Sequence, residues 1–297
     1  MMYRIVSPWA VDLAQLESAL EEGRFVPCSA SQEKSLGWLE PRGVANGPLV
    51  EIIDGQWILK LQFEVKVLPS SVVKRRAQEQ IQAIEASTGR KPGKKESREI
   101  LEDVRMSLLP MAFTKQSAVK VWIDPKAQRL VLDAGSQARA DEVLTCLIKA
   151  VDGLAVQLIN TQMSPAAAMA LWLASKEAPA GFTVDRECEL KAADESKSVV
   201  RYARHALDTE EVTQHIAMGK MPTRLAMTWN DHVSFVLTEA LQLKKVAILD
   251  VVFEAAASLA SDGSDDQFDA DVAIATGELG KLIPDLMEAL GTEVLPA

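Results

Sequence analysis

The lysine and arginine side chains of this chain are unevenly distributed, and their clustering is the first feature with chemical meaning. Between Lys66 and Lys120 stand twelve basic residues against six acidic ones, a net of +6 inside a protein whose formal charge is −10. The chemistry open to such a segment is neutralisation of nucleic-acid phosphates, which releases condensed counterions and needs no base sequence. Lys74, Arg75 and Arg76 are consecutive, and Arg90, Lys91, Lys94 and Lys95 crowd a short stretch that also holds Gly89, Pro92 and Gly93. Toward the end of the chain, Ala240 to Ala297 carries three basic and eleven acidic residues, net −8, a region that repels phosphate.

Catalytic patterns fail on inspection. A phosphate-cradling loop needs G-x-x-x-x-G-K-[ST] after a strand. Gly89 to Lys95 is one residue short of it, ends without a hydroxyl and falls between two predicted helices. Ser-x-x-Lys occurs at Ser31–Lys34 and Ser71–Lys74, but without the partner motifs that acylating serine enzymes use. His205, His215 and His232 never approach a metal-binding spacing. Cys28, Cys146 and Cys188 lie far apart, which points to neither a disulfide framework nor a zinc site and fits a reducing cytoplasm. Asp265, Asp266, Asp269 and Asp271 are the one acidic group that could serve a magnesium-dependent nuclease. As a calcium loop from Asp262 the stretch fails, with Gln267 where glycine is needed and Ala273 where glutamate is needed. It reads better as a short acidic loop whose carboxylates begin a helix. No metal, cofactor or catalytic residue is assigned.

The elements that must carry the cationic residues can be read from periodicity. Tyr3 to Ser7 predicts a strand, Val11 to Glu22 a helix, and Leu49 to Leu68 two strands about an Asp54-Gly55 turn. Ser70 is placed as the N-cap of a helix with Val73, Ala77, Ile81 and Ile84 on one face, ending near Gly89. A second helix, Ser97 to Lys115, buries Leu101, Val104, Leu108 and Met111 and turns Arg98, Glu102 and Arg105 outward. The pair makes a helical hairpin with a cationic tip, too thinly apolar to nest in a core. Strands follow at Ala118–Ile123 and Arg129–Asp133, a helix at Gln137–Ala150, a strand at Val156–Ile159 and a helix at Ser164–Ser175. Beyond Pro179-Ala180-Gly181 come strands at Glu187–Lys191, Val199–Arg204, Thr223–Trp229 and Val233–Thr238, with a capped helix at Thr209–Met218. The fold class is α+β, antiparallel sheets with helices and a projecting arm. Residues 1–70 and 116–178 form a central domain, 71–115 the arm and 179–297 a base domain. No apolar run reaches the roughly 18 to 20 residues that a membrane helix needs, so the expectation is a cytoplasmic protein.

Six segments, in order along nearly the whole chain, resemble the signatures of the RdgC family of bacterial recombination-associated proteins. They are Phe25–Cys28 with Leu36–Trp38, Val67–Lys74, Ser107–Phe113, Val121–Asp124, His215–Lys220, and Phe268–Asp271 with Thr276–Leu279. The resemblance implies a horseshoe-shaped subunit and a homodimer closed into a ring around a positively charged hole. It implies binding of double-stranded and single-stranded DNA with little sequence preference, restraint of RecA-driven recombination by occupying the DNA, and residence on the nucleoid. It implies no catalytic residue and no cofactor. Carried over by position, Lys66 and Lys74 would face the hole; the charge clustering itself adds Arg75, Arg76, Arg90, Lys91, Lys94, Lys95, Arg98 and Lys115 to the expected DNA surface. Arg201, Arg204 and His205 would serve it from the base, where Ala203 replaces a cation of the family pattern. Phe113 has two readings, packing of the arm on the body and a dimer contact, and the dimer contact is adopted. The competing functional classes are the nuclease built on Asp269 and Asp271 and a module that touches RecA directly.

Overall fold

The Asp54-Gly55 turn closes a hairpin between β3 (Val50–Ile53) and β4 (Gln56–Val67). Both turn residues have positive φ, 50° and 78°, the conformation that matches the twist of two-residue hairpins. In the computed structural model, which describes residues 1–259 and 267–293, this hairpin seeds the first of two antiparallel sheets in an α+β fold. Its strand order is β2 (Lys34–Leu39), β4, β5 (Phe113–Asp124), β6 (Arg129–Leu132), β1 (Met2–Ile5) and β7 (Val156–Leu158), with β3 also on β4.

Strand alternation gives this sheet two different faces. Tyr3, Ile5, Leu59, Leu61, Phe63, Val121 and Leu130 turn one way and pack with Leu16 and Leu20 of α1 (Leu13–Glu22) and Val143 and Leu147 of α4 (Gln137–Ala150). Met2, Ile58, Trp122 and Val131 turn the other way into a second core. That core is shared with a sheet ordered β12 (Leu243–Ile248), β11 (Val233–Thr238), β10 (Lys220–Trp229), β8 (Phe182–Ala192) and β9 (Val199–Ala203). Helix α5 (Pro165–Ser175), started by the Ser164 hydroxyl accepting the Ala167 N–H, packs against β10 of this second sheet. The change of core therefore comes before α5, earlier in the chain than the Pro179 turn.

After α6 (Glu210–Ala217) and α7 (Asp250–Leu259), α8 (Gln267–Ala289) ties the halves together. Its Leu282, Ile283 and Leu286 are fully buried in the second core, its Asp285 accepts the Trp229 indole N–H at 2.9 Å, and its Glu278 meets His232 at 2.7 Å. Toward the first sheet, Arg42 pairs with Asp269 at 2.5 Å and lies 4.8 Å over the Phe268 ring, while Arg4 forms a two-pronged pair with Glu293.

Helices α2 (Ser70–Thr88) and α3 (Lys94–Leu108) form the arm, joined to the sheet at the ends of β4 and β5. The arm has a small core of its own in which Val73, Ala77, Ile100 and Val104 are buried. Gly89, left-handed at φ 67°, ends α2 with its N–H on the Glu85 carbonyl. Four expectations need correction. Ser70 is the first helical residue, with Pro69 at the cap position and no side-chain cap bond. The second helix stops at Leu108 because Pro110 has no N–H to continue the ladder, so Leu109–Met111 tightens to a 3-10 turn and Phe113–Lys115 is strand. Met111, expected inside the arm, is 73% exposed. At α6, Thr209 holds the cap position but its hydroxyl has no hydrogen-bond partner, so that helix start lacks the expected side-chain cap.

One glycine is dictated by close approach. A Cβ on Gly37 in β2 would sit 2.5 Å from Phe25 Cα and 2.8 Å from the Gly23 carbonyl oxygen, both backbone atoms that cannot swing aside. Gly37→Ala is expected to destabilise the protein by about 2–3 kcal/mol through this overpacking, read as a lower urea midpoint with unchanged cooperativity.

Candidate nucleic-acid interface

The arm presents its cations on the outside because its apolar residues are committed to the seam between α2 and α3. Lys74, Arg75 and Arg76 in α2 are all exposed, and Arg76 pairs with Glu79 at 3.0 Å. At the tip Arg90 meets Glu96 at 3.1 Å and Lys95 meets Glu99 at 3.9 Å, both solvent-facing pairs of the kind that contributes little and yields readily to another anion. Lys91, Lys94 and Arg98 are exposed and, among the described residues, have no acidic partner. Lys115 on β5 is exposed likewise.

Lys66 stands elsewhere in the structure's economy. Its ammonium donates to the Leu109 carbonyl at 2.8 Å and to the Ala30 carbonyl at 3.1 Å, so it fastens the arm's root to the edge of the sheet. On the second sheet, Arg201 is paired with Glu189 at 2.6 Å. Arg204 is exposed in a left-handed conformation, φ 56°, and the His205 ring lies 5.5 Å from that of Tyr202 with Nδ1 2.6 Å from the Ala206 carbonyl oxygen. The arm residues thus share one projecting element, while the base residues sit on a separate sheet with part of their charge already matched.

Phe113 is 87% exposed. Packing of this ring on the body, one of its two sequence readings, is thereby excluded within the subunit. It stands beside its register partner Val67, 49% exposed, and near Met111, leaving an apolar patch at the arm's root.

The nuclease candidates are otherwise occupied. Asp269 holds Arg42 and Asp271 accepts from Gln267 Nε2 at 2.7 Å, while Asp265 and Asp266 lie outside the described residues. Among the described residues no three His, Cys, Asp or Glu side chains are grouped to hold a metal. Burial pushes the Cys188 thiol up to about 12 and the Tyr202 hydroxyl up to about 12, the latter helped by its bond to Glu211, so neither is poised to ionise near neutrality. No helix among the described residues is long and apolar enough to cross a membrane.

What sequence reading passed over is the pairing of Lys60 on β4, outside the basic segment, with Lys120 on β5, its last cation, which the register sets directly opposite one another. Nothing local marks them, because they lie sixty residues apart and only the pairing of the two strands brings them together.

Taken together, these features define an α+β protein of two antiparallel sheets with a projecting cationic helical arm. A family model described as "RdgC: Putative exonuclease, RdgC" matches residues 1–293. The recombination-associated protein RdgC of Dechloromonas aromatica (strain RCB) is 47% identical over all of this chain and 97% of its own length. Its namesake in Herminiimonas arsenicoxydans is 47% identical over 98% of this chain and 96% of that protein, and the one in Bordetella pertussis is 44% identical over 98% and 97%. The chain belongs to the RdgC family of recombination-associated proteins.

The Lys66 contacts carry a prediction. Lys66→Ala removes both bonds, leaving the Leu109 carbonyl with the Ala112 N–H alone, and should cost about 0.5–1.5 kcal/mol of stability in urea unfolding, with faster proteolytic cutting where the arm joins the sheet.

Proposed function

We propose that this protein binds DNA without sequence preference, chiefly duplex and also single-stranded, and restrains RecA-driven recombination by occupying the DNA. The observation that carries the reading is the cationic arm, whose exposed Lys74, Arg75, Lys91, Lys94 and Arg98 stand on one element of an otherwise acidic protein. Support comes also from membership in a family whose relatives are named for recombination. Such an arm can neutralise backbone phosphates, and no zinc finger or aromatic RNP pattern for reading base edges is present in the sequence. In this reading the subunit is a horseshoe, two copies close into a ring about the DNA, and the apolar patch around Phe113 forms one of the contacts between them. The protein works at the nucleoid, uses no cofactor and catalyses no reaction.

Affinity for unrelated duplexes should fall linearly with the logarithm of salt concentration, with the same slope for each sequence. Replacing Lys91, Lys94 and Arg98 together by glutamine should lower that slope by about 2–3; an unchanged slope would remove the arm from the interface. Phe113→Glu should weaken self-association at least tenfold in sedimentation equilibrium, as burial of a charge at an aromatic anchor demands. The family model's wording, "putative exonuclease", makes the contrary outcome concrete. Shortening of end-labelled DNA that requires magnesium would establish a nuclease in place of an occupant. Inhibition of strand exchange that survives excess competitor DNA would favour direct contact with RecA.

A further inference from the structure

Lys60 and Lys120 occupy one rung of the β4–β5 ladder, on the face of the first sheet that Ile58 and Trp122 share. Two ammonium groups directly opposite on neighbouring strands repel one another, and a sheet normally answers such a rung with an acid. Here none answers. Among the described residues neither lysine has a carboxylate within ion-pair distance, although the protein as a whole carries ten more acids than bases. Asp133, whose backbone N–H bonds the Lys120 carbonyl, acts on the ammonium of Met1 and pairs with neither lysine.

The surroundings of the rung form a floor between two walls. At one end Ile58 and Trp122 pass under the second core. At the other, Lys66, on the same face, reaches the Leu109 carbonyl, which puts the root of the arm on this side of the sheet. From position 60 to position 66 the floor runs for about 20 Å at the usual rise of a strand. The rungs in between pair Gln62 with Ala118 and Glu64 with Gln116; on the β4 side the backbone around Phe25 packs on Gly37 beside Gln62, so Gln62 and Glu64 are buried and the open part of the floor is Lys60 with Lys120, Ala118 and Gln116 of β5. Glu64 is 3% exposed and turned to the Cys28 N–H and the Gln116 amide, so between Lys60 and Glu64 the charges of β4 and β5 on this face that reach solvent are the half-buried Lys60 and the exposed Lys120.

We infer that Lys60 and Lys120 form a phosphate-binding rung on the floor between the arm and the second core, where the backbone of duplex DNA lies across β4 and β5. This rests on the DNA-binding reading above and adds a particular face to it. The unpaired rung is a cost in the free protein that a bound phosphate removes, since the polyanion supplies the counter-charge the sheet lacks. Lys115 points to the opposite face of β5, so the two sides of that strand are assigned different tasks.

The test compares Lys60→Gln/Lys120→Gln with the charge-matched Lys126→Gln/Lys149→Gln, which alters the β5–β6 turn and α4 on the other side of the sheet. Each is titrated with a blunt duplex of mixed sequence across a salt series. The rung variant is expected to lose about two from the salt slope, so that between 50 and 200 mM salt the wild type's affinity falls about twelvefold further than the variant's. The control is expected to keep the wild-type slope. At low salt the DNA-free rung variant should melt no lower than wild type, because a repulsion has been removed, and duplex should raise its melting temperature less than it raises that of wild type. A wild-type slope in the rung variant, or an equal loss in both variants, overturns the inference while leaving DNA binding intact. Absence of salt-dependent binding by the wild type overturns both.

Discussion

The pairing of β4 with β5 is the constraint on which the rest of the molecule depends. Eleven residues of each strand lie side by side from Trp57 opposite Ile123 to Val67 opposite Phe113. Because side chains alternate with a period of two, a slip of one residue would send Leu59, Leu61 and Phe63 away from α1 and α4 and expose the core they build. The same register decides which lysines share a surface and where the arm is held. The placement of Lys60, Lys66, Lys115 and Lys120 is thus a statement about this ladder.

The arm obeys a different physics. Its own core is a handful of aliphatic side chains along one seam, too little to be stable as an isolated pair of helices of this length. It is held at its root, by strand continuity on both sides and by the Lys66 ammonium bridging to the 3-10 turn. Such an attachment leaves the outer surfaces of α2 and α3 free to be almost wholly polar, and it is this freedom that lets the cations accumulate there without acidic partners for each.

Much of this was legible in the residues. Helix α4 runs from Gln137 to Ala150, as its periodicity requires, and the Asp54-Gly55 hairpin is where two positive-φ residues place it. Strand β2 was not legible, since Gly37-Trp38 interrupts its alternation for the sake of the segment around Phe25 that crosses beside it. Nor was the end of α3 read correctly, where a stripe of apolar residues continued past Pro110 in sequence but not in space. For the site, composition pointed to the segment and to the arm, but charge counting is blind to faces. It grouped Lys66, Lys115 and Lys120, which the structure assigns to a carbonyl clasp, one side of β5 and the other.

The clamp between Arg4 and Glu293 reaches across 289 residues, and around it Gln162 and Met163 bond to the backbone of Thr292 and Leu290. Contacts of such separation are the last to be made, because the loop they close holds nearly the whole polypeptide. On the ribosome the first sheet can assemble with α1 and α4 as soon as β7 has emerged. Its other face, with Met2 and Trp122, is completed only as α5, the second sheet and then α8 supply the rest of that core. A ribosome stalled before α8 therefore leaves this core without Leu282, Ile283 and Leu286, an incompletely covered sheet for chaperones to shield.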